Sequence, residues 1–160
     1  MSPNAVIGID LGTTHCAMAR ATLDEESAAE AVEIVQLVGP STVEAKRLLP
    51  SFLYFGTEAE GALALPWDEE RSIAVGELAR ARAVEAPARV VSSAKSWLCH
   101  PGVDRRGSLL PQGAAPDIEA ISPVEASYRY LDHLAEAYAQ KYPGEPLSEQ
   151  EIIQIGRAHV

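Results

Sequence analysis

Four residues near the start of the chain have the types and spacing expected of a phosphate site: Asp10, Gly12, Thr13 and Thr14. Gly12 allows close approach of the backbone to a ligand because it has no Cβ, and the threonines offer N–H groups and hydroxyls to phosphate oxygens. The carboxylate of Asp10 would repel bare phosphate, but it suits a site where Mg²⁺ or its bound water lies between the two. The pattern therefore predicts a site for a magnesium-bound phosphate compound, with an ordinary Asp-Gly hairpin turn as the alternative.

The elements that would position these residues are two short strands. Val6, Ile7 and Ile9 form an almost uninterrupted apolar run, which is typical of a strand covered on both faces. Residues 16–20 follow directly after the turn as a second strand. A third strand is predicted over residues 32–38, so the chain would begin with three neighbouring antiparallel strands.

The middle of the chain differs in character from its start and its end. Gly39 and Pro40 break the third strand, and a turn-rich segment follows. Residues 39–120 are therefore interpreted as an inserted small α/β subdomain, and residues 1–38 with 121–153 as the core lobe, built on a mixed sheet. The predicted parts of the insertion are a strand over 51–55, helices over 75–84 and 90–99, and a loop over 101–120.

A final helix is the most strongly specified element. Ser122, Pro123 and Glu125 form the pattern of a capping box with proline at the first helical position. His133 is interpreted as a surface or packing residue and not as a ligand. Helical spacing predicts one face toward the sheet and one toward water, formed respectively by Leu131, Leu134, Ala135, Tyr138 and Tyr142, and by Arg129, Asp132, Glu136 and Gln140.

The glycine-threonine turn resembles the first phosphate loop of the actin-like ATPase superfamily, which includes DnaK-type chaperones (the seventy-kilodalton heat-shock family), several carbohydrate kinases and actin-like filament proteins. Later segments resemble the chaperone family specifically, and the resemblance spans about residues 5–153. It implies an α/β fold of the actin-like ATPase (ribonuclease H-like) type, of which this chain would be a truncated first lobe. The segments are a Pro-Ser strand with an aromatic end (49–55), a Val-Gly helix start (74–84), an Ala-Lys helix (91–98), a returning helix (121–126) and a strand entry (145–153).

The same resemblance implies roles for individual residues. Lys95 matches the family lysine that approaches the terminal phosphate and the attacking water, and a compact ammonium can neutralise the charge that develops there. Asp10 and Lys95 would be catalytic, while Gly12, Thr13 and Thr14 would bind ATP. Mg²⁺ would be held by Asp10, through water. An exposed helix lysine without such a role is the alternative for Lys95.

Two positions depart from the family pattern. Ser96 stands where the family has an arginine after the lysine, and Arg80 replaces the lysine of the Val-Gly-x-x-Ala-Lys pattern. Neither change removes the proposed catalytic charge, but both indicate a divergent member.

The end of the chain departs more sharply. Residues 155–160 resemble nothing in the family and are what a common sequencing-adapter read would encode, so they are interpreted as a non-native tail. A genuine short tail is the alternative. The family's second phosphate loop, adenosine contacts and peptide-binding domain have no counterpart in these 160 residues. We therefore expect weak or undetectable ATP binding, and a chain that is inactive alone.

Composition excludes several other classes. A net charge of −10 argues against nonspecific binding to nucleic acid or to an anionic membrane. Cys16 and Cys99 are far apart and lack metal-type spacing, which argues against a disulfide framework or a zinc site and favours a reducing cytoplasm. The sequence contains no apolar run of the roughly 20 residues that span a bilayer.

Three functions follow from these observations. The first is the N-terminal part of a chaperone ATPase that couples nucleotide state to the binding of unfolded peptides, with client peptides and co-chaperones bound through other regions. The second is a carbohydrate-type kinase of the same superfamily, which would need a downstream carboxylate as base. The third is a non-catalytic interaction protein that kept the loop as scaffold.

Overall fold

The computed structural model describes residues 2–23, 26 and 28–155, and these form a mixed α/β fold. The strands are β1 (Ala5–Leu11), β2 (His15–Thr22), β3 (Glu30–Ala31), β4 (Ile34–Gly39), β5 (Thr42–Lys46), β6 (Leu48–Pro50), β7 (Leu53–Phe55), β8 (Ile73–Val75), β9 (Val90–Val91) and β10 (Glu151–Ile155). The α-helices are α1 (Glu77–Glu85), α2 (Ala94–Leu98) and α3 (Pro123–Lys141). Within these ranges no helix has the length and apolar character that a membrane crossing requires. The suspected non-native tail lies outside the described residues, except for Ile155 at the end of β10.

The main sheet is mixed, as predicted. In the described ranges its strand order is β10-β1-β2-β3, and β6 also pairs with β2. β1 runs antiparallel to β2 and parallel to β10, with α3 in the connection to β10. Ala5, Ile7 and Ile9 of β1 are buried, whereas Val6 and Gly8 on the opposite face are partly exposed. The expectation of a strand covered on both faces is therefore wrong, since only one face of β1 is fully buried.

The third predicted strand does not pair with the second one. β4 instead pairs with β5 in an antiparallel hairpin, and the short strand β3 (Glu30–Ala31) takes the place beside β2. Gly39 and Pro40 look like a break in the sequence, but they reverse the chain into this hairpin. The hairpin spans the proposed boundary at residue 38, and β6 from the proposed insertion pairs with β2. The division into core lobe and inserted subdomain stays a prediction.

A separate three-stranded sheet, formed by β7, β8 and β9, lies in the same region of the chain as helices α1 and α2. β7 lies between β8 and β9, and both pairings are antiparallel. The two predicted helices exist but begin later than expected, at Glu77 and Ala94. The second is shortened because Val90 and Val91 are β-branched residues that pair with β7 as strand β9. Residues 101–120 contain no helix or named strand, which confirms the predicted loop.

Gln36 joins β4, β6 and α1. Its side chain is fully buried, and its amide nitrogen donates to the carbonyl oxygens of Ile34 (3.3 Å) and Leu48 (3.0 Å). Its amide oxygen accepts a hydrogen bond of 3.0 Å from the backbone N–H of Glu77, the first residue of α1. Gly76 at the N-cap has no side chain to make that bond, so Gln36 acts as a cap from a distant strand.

The start of α3 is confirmed. The hydroxyl of Ser122 accepts a 3.0 Å hydrogen bond from the N–H of Glu125, and Pro123 occupies the first turn. The carboxylate of Glu125 accepts a bond from Arg129. Among the described contacts only the serine half of the predicted capping box is present, and it fixes where the helix begins.

The buried face of α3 is rotated from the predicted one. Leu134 and Tyr138 are buried as expected, but Leu131 is 37% exposed. Tyr130 and His133 are buried instead because their polar tips find backbone acceptors at Ser51 and Val35. The spacing of apolar residues alone did not predict that Tyr130 and His133 would be buried.

His133 has a packing role, which is one of the two alternatives that the sequence left open. It is fully buried, and its Nε2 donates a 2.9 Å hydrogen bond to the carbonyl oxygen of Val35. Among the described atoms, its buried Nδ1 has no hydrogen-bond partner. Burial lowers the pKa of His133 to about 4, and the nearby charge of Arg71 acts in the same direction.

We expect Gly76→Ala to destabilise the fold strongly. The backbone at Gly76 has φ +104°, and a Cβ there would lie 2.5 Å from Gln36 Oε1 and 2.6 Å from Leu49 Cδ1. Gly144→Ala is the matched control, since Gly144 has φ +85° but open space around its Cβ position. Urea unfolding should show a loss of about 1–2 kcal/mol for the control and about 1–3 kcal/mol more for Gly76→Ala. Equal losses would show that the crowding around Gly76 is unimportant.

The buried His133 should make stability fall in acid. Its folded pKa lies below its unfolded value, so its contribution is complete above about pH 6.5 and declines as pH falls toward 4. Urea unfolding at pH 7 and pH 4.5 should show a loss about 2–3 kcal/mol larger in the wild type than in His133→Gln. The same pH dependence in both proteins would contradict this account.

Candidate functional site

The predicted phosphate loop is a tight turn between β1 and β2. Leu11 and Cys16 form the last residue pair of the ladder, and Gly12, Thr13 and Thr14 connect the strands. A Cβ on Gly12 would lie 2.2 Å from the carbonyl oxygen of His15, so a side chain cannot fit there without opening the turn. Glycine is therefore required at position 12 because the backbone of His15 lies very close to it.

The candidate ligand-binding groups of this turn face solvent. Asp10, Thr13 and Thr14 are exposed, whereas Ile9 just before them is buried. The hydroxyl of Thr14 lies 3.2 Å from Nδ1 of His15. The structure therefore leaves two threonines accessible on the turn and one carboxylate accessible near the end of β1.

Lys95 lies directly at this turn, although it is 84 residues away in sequence. Its ammonium donates a 2.7 Å hydrogen bond to the carbonyl oxygen of Leu11. Ala94, which precedes it at the start of α2, is buried and anchors the helix in the core. Lys95 is partly buried, so it differs from the solvated helix lysine that was the alternative. The structure thus brings the predicted catalytic cation to the predicted phosphate loop.

The buried thiol of Cys16, opposite Leu11 in the hairpin, has a pKa that is affected by charged residues near the turn. Burial raises the pKa of Cys16. The negative charge of Asp10 also raises this pKa, and the positive charge of Lys95 lowers it. Two predicted catalytic charges of opposite sign therefore act on the same buried thiol.

Two residues without a sequence-assigned role complete the site. The hydroxyl of Ser51 donates to the carbonyl oxygen of Gly12, and the N–H of Ser51 donates to that of Thr14, both at 2.9 Å. The hydroxyl of Tyr130 in turn donates to the carbonyl oxygen of Ser51 at 3.0 Å. The Pro-Ser segment was visible in the sequence as a family feature, and Tyr130 lies four residues before the buried Leu134. Neither the Pro-Ser segment nor the position of Tyr130 indicated by itself a contact with the loop.

One carboxylate, that of Asp10, could hold a magnesium ion near this turn. Within the described residues, His, Cys, Asp and Glu side chains form no group of three or more arranged for a metal. Asp10 offers a single exposed carboxylate at the turn. Because Mg²⁺ keeps several waters and commonly uses one or two carboxylates plus substrate phosphates, this arrangement can support it through water.

Comparison with known proteins gives no family assignment. No protein-family model matches the chain, and no curated protein does. The resemblance to actin-like ATPases therefore rests on the sequence motifs alone.

The two cysteines should differ in reactivity. Cys16 is fully buried and its pKa is raised, while Cys99 is partly exposed. Iodoacetamide at pH 8, followed by peptide mass spectrometry, should modify Cys99 and leave Cys16 protected, because alkylation needs an accessible thiolate. Unfolded protein is the control and should be modified at both. Equal rates in the folded protein would show that the turn does not cover Cys16.

Proposed function

We propose that this chain is the first lobe of an actin-like, ribonuclease H-like ATPase domain and that its turn at residues 12–14 binds the phosphates of Mg-ATP. The observation that carries the proposal is the 2.7 Å hydrogen bond from Lys95 to the carbonyl oxygen of Leu11. It places a cation from a distant helix beside an exposed glycine-threonine turn.

The topology of the main sheet supports the same proposal. β1 and β2 form an antiparallel hairpin whose turn is the loop, and the chain returns through α3 to β10, parallel to β1. A mixed sheet of this kind suits the lobe that the resemblance implies. The turn then lies at the carboxyl end of β1, where α/β sheets commonly bind ligands.

Each residue of the site has a distinct role in this proposal. The exposed backbone and hydroxyls of Thr13 and Thr14 hold phosphate oxygens, and Gly12 permits the tight turn. Bound Mg²⁺ would neutralise phosphate charge, and Asp10 would orient the water around it. The ammonium of Lys95 has three donors and gives one to Leu11, so two remain for the terminal phosphate and the attacking water.

In the whole protein we propose that ATP binding and hydrolysis control the binding of unfolded peptides, as in DnaK-type chaperones. Closure of the site around the nucleotide would shift the population of a distant peptide-binding state. This part rests on the order of motifs in the sequence. Co-chaperones and client peptides would act through other regions.

Of the two outcomes expected from the sequence, weak or undetectable binding, the proposal requires the first, with Mg-ATP bound at the turn. The loop lies on an exposed surface of the described chain, so the ligand would contact a single wall. In an NMR titration of ¹⁵N-labelled protein, Mg-ATP should shift the amides of Thr13, Thr14 and Lys95 with a dissociation constant weaker than micromolar. Lys95→Met should weaken binding about tenfold, the usual effect of losing one charge-assisted hydrogen bond.

Lys46→Met is the matched control for that experiment. Lys46 is a lysine at the end of β5 whose ammonium contacts Glu44 in the hairpin, far along the chain from the loop. Its replacement should leave the affinity for Mg-ATP unchanged. Shifts that lie elsewhere, no shifts at millimolar Mg-ATP, or micromolar or tighter affinity would each count against the proposal as stated.

A further inference from the structure

We infer that Ser51 is the positioning residue of the phosphate loop and that Tyr130 ties its position to helix α3. This inference concerns how the loop keeps its shape, and its link to phosphate binding rests on the proposed function. The contacts that carry it are the three hydrogen bonds at Ser51, which use its hydroxyl, its N–H and its carbonyl oxygen.

The first step is the direction in which the loop peptides point. The carbonyl oxygens of Gly12 and Thr14 both accept hydrogen bonds from Ser51 on the inner side of the turn. The peptide between Gly12 and Thr13 is trans, so the N–H of Thr13 points opposite to the carbonyl of Gly12. Ser51 therefore holds partial negative charges inward and directs the Thr13 donor away from itself. That arrangement favours an anion on the outer side of the loop.

The second step is a count of protons around the hydroxyl. Ser51 has one hydroxyl proton, and a carbonyl can only accept, so this proton lies between Ser51 and Gly12. The contact of 3.4 Å between Cys16 Sγ and Ser51 Oγ must then be donated by the thiol. The raised pKa of Cys16 agrees with a thiol that stays protonated. Ser51 is thus locked in one orientation by a donor on one side and an acceptor on the other.

The third step links the loop to α3. Ser51 is 2% exposed and follows β6, whose last residue Pro50 pairs with His15 of β2. Tyr130 is 4% exposed and donates to the backbone of Ser51 from the buried face of α3. A shift of α3 would therefore change the position of Ser51, and with it the orientation of the loop carbonyls.

The test compares the nucleotide-free wild type with three variants of the Ser51 contacts and two control variants. In Ser51→Ala the amide resonances of Thr13 and Thr14 should move, and iodoacetamide should modify Cys16 several times faster. Tyr130→Phe removes one hydroxyl on a different element and should cause smaller changes of the same kind. Ser51→Thr keeps the hydroxyl and should restore the resonances of Ser51→Ala toward wild type.

Two variants control for a general loss of stability. Ser122→Ala removes a serine hydroxyl that caps α3, and Tyr138→Phe removes a buried tyrosine hydroxyl that contacts Arg20 and Glu145. Both should lower stability without moving the loop resonances or exposing Cys16. Loop changes of equal size in these controls would overturn the inference.

Binding of Mg-ATP is measured separately on the same variants. Ser51→Ala should weaken it about fivefold, the effect of one neutral hydrogen bond, and Ser51→Thr should restore it. Loop changes without any loss of affinity would overturn the positioning role. If the wild type itself does not bind, the proposed function fails, and the nucleotide-free measurements still decide whether Ser51 sets the loop. Unchanged resonances in both Ser51→Ala and Tyr130→Phe would overturn the inference in either case.

Discussion

The structure of the site depends on hydrogen bonds to three backbone carbonyls of the β1–β2 hairpin, those of Leu11, Gly12 and Thr14. Lys95 satisfies the first, and Ser51 satisfies the other two. A turn with unpaired carbonyls facing outward would repel an anion and would leave polar groups without partners. The donors come from segments that lie far along the chain, so the turn has this form only when the whole domain is folded.

The core is arranged to bring those donors together. β6 pairs with β2 and delivers Ser51, while the buried Ala94 starts α2 and leaves Lys95 beside the turn. The ring of Tyr130 is buried in the hydrophobic core that also contains Ala94, and its hydroxyl donates a hydrogen bond to the backbone of Ser51. The buried polar groups of Ser51 and Tyr130 thus hold one backbone segment against another. Gln36 does the same at the start of α1.

Local signals in the sequence predicted local features well. The turn at Gly12, the helix start at Ser122 and the loop over 101–120 each follow from residues that act on their own neighbourhood. Pairing between strands was not predictable in the same way, because β4 could satisfy its backbone with β2 or with β5 and the sequence pattern is the same in both cases. Ser51 was missed for a related reason, since its partners become neighbours only through tertiary contacts.

The two departures from the family pattern lie where they leave this arrangement intact. Arg80 is on α1, 45% exposed, and forms an ion pair with Glu77 of the same helix. Ser96 is exposed on α2, although its neighbour Lys95 is partly buried and bonded to the turn. A residue held by a backbone carbonyl does not depend on the identity of an exposed neighbour. The charge at the proposed phosphate loop is therefore set by the position of α2 against the core.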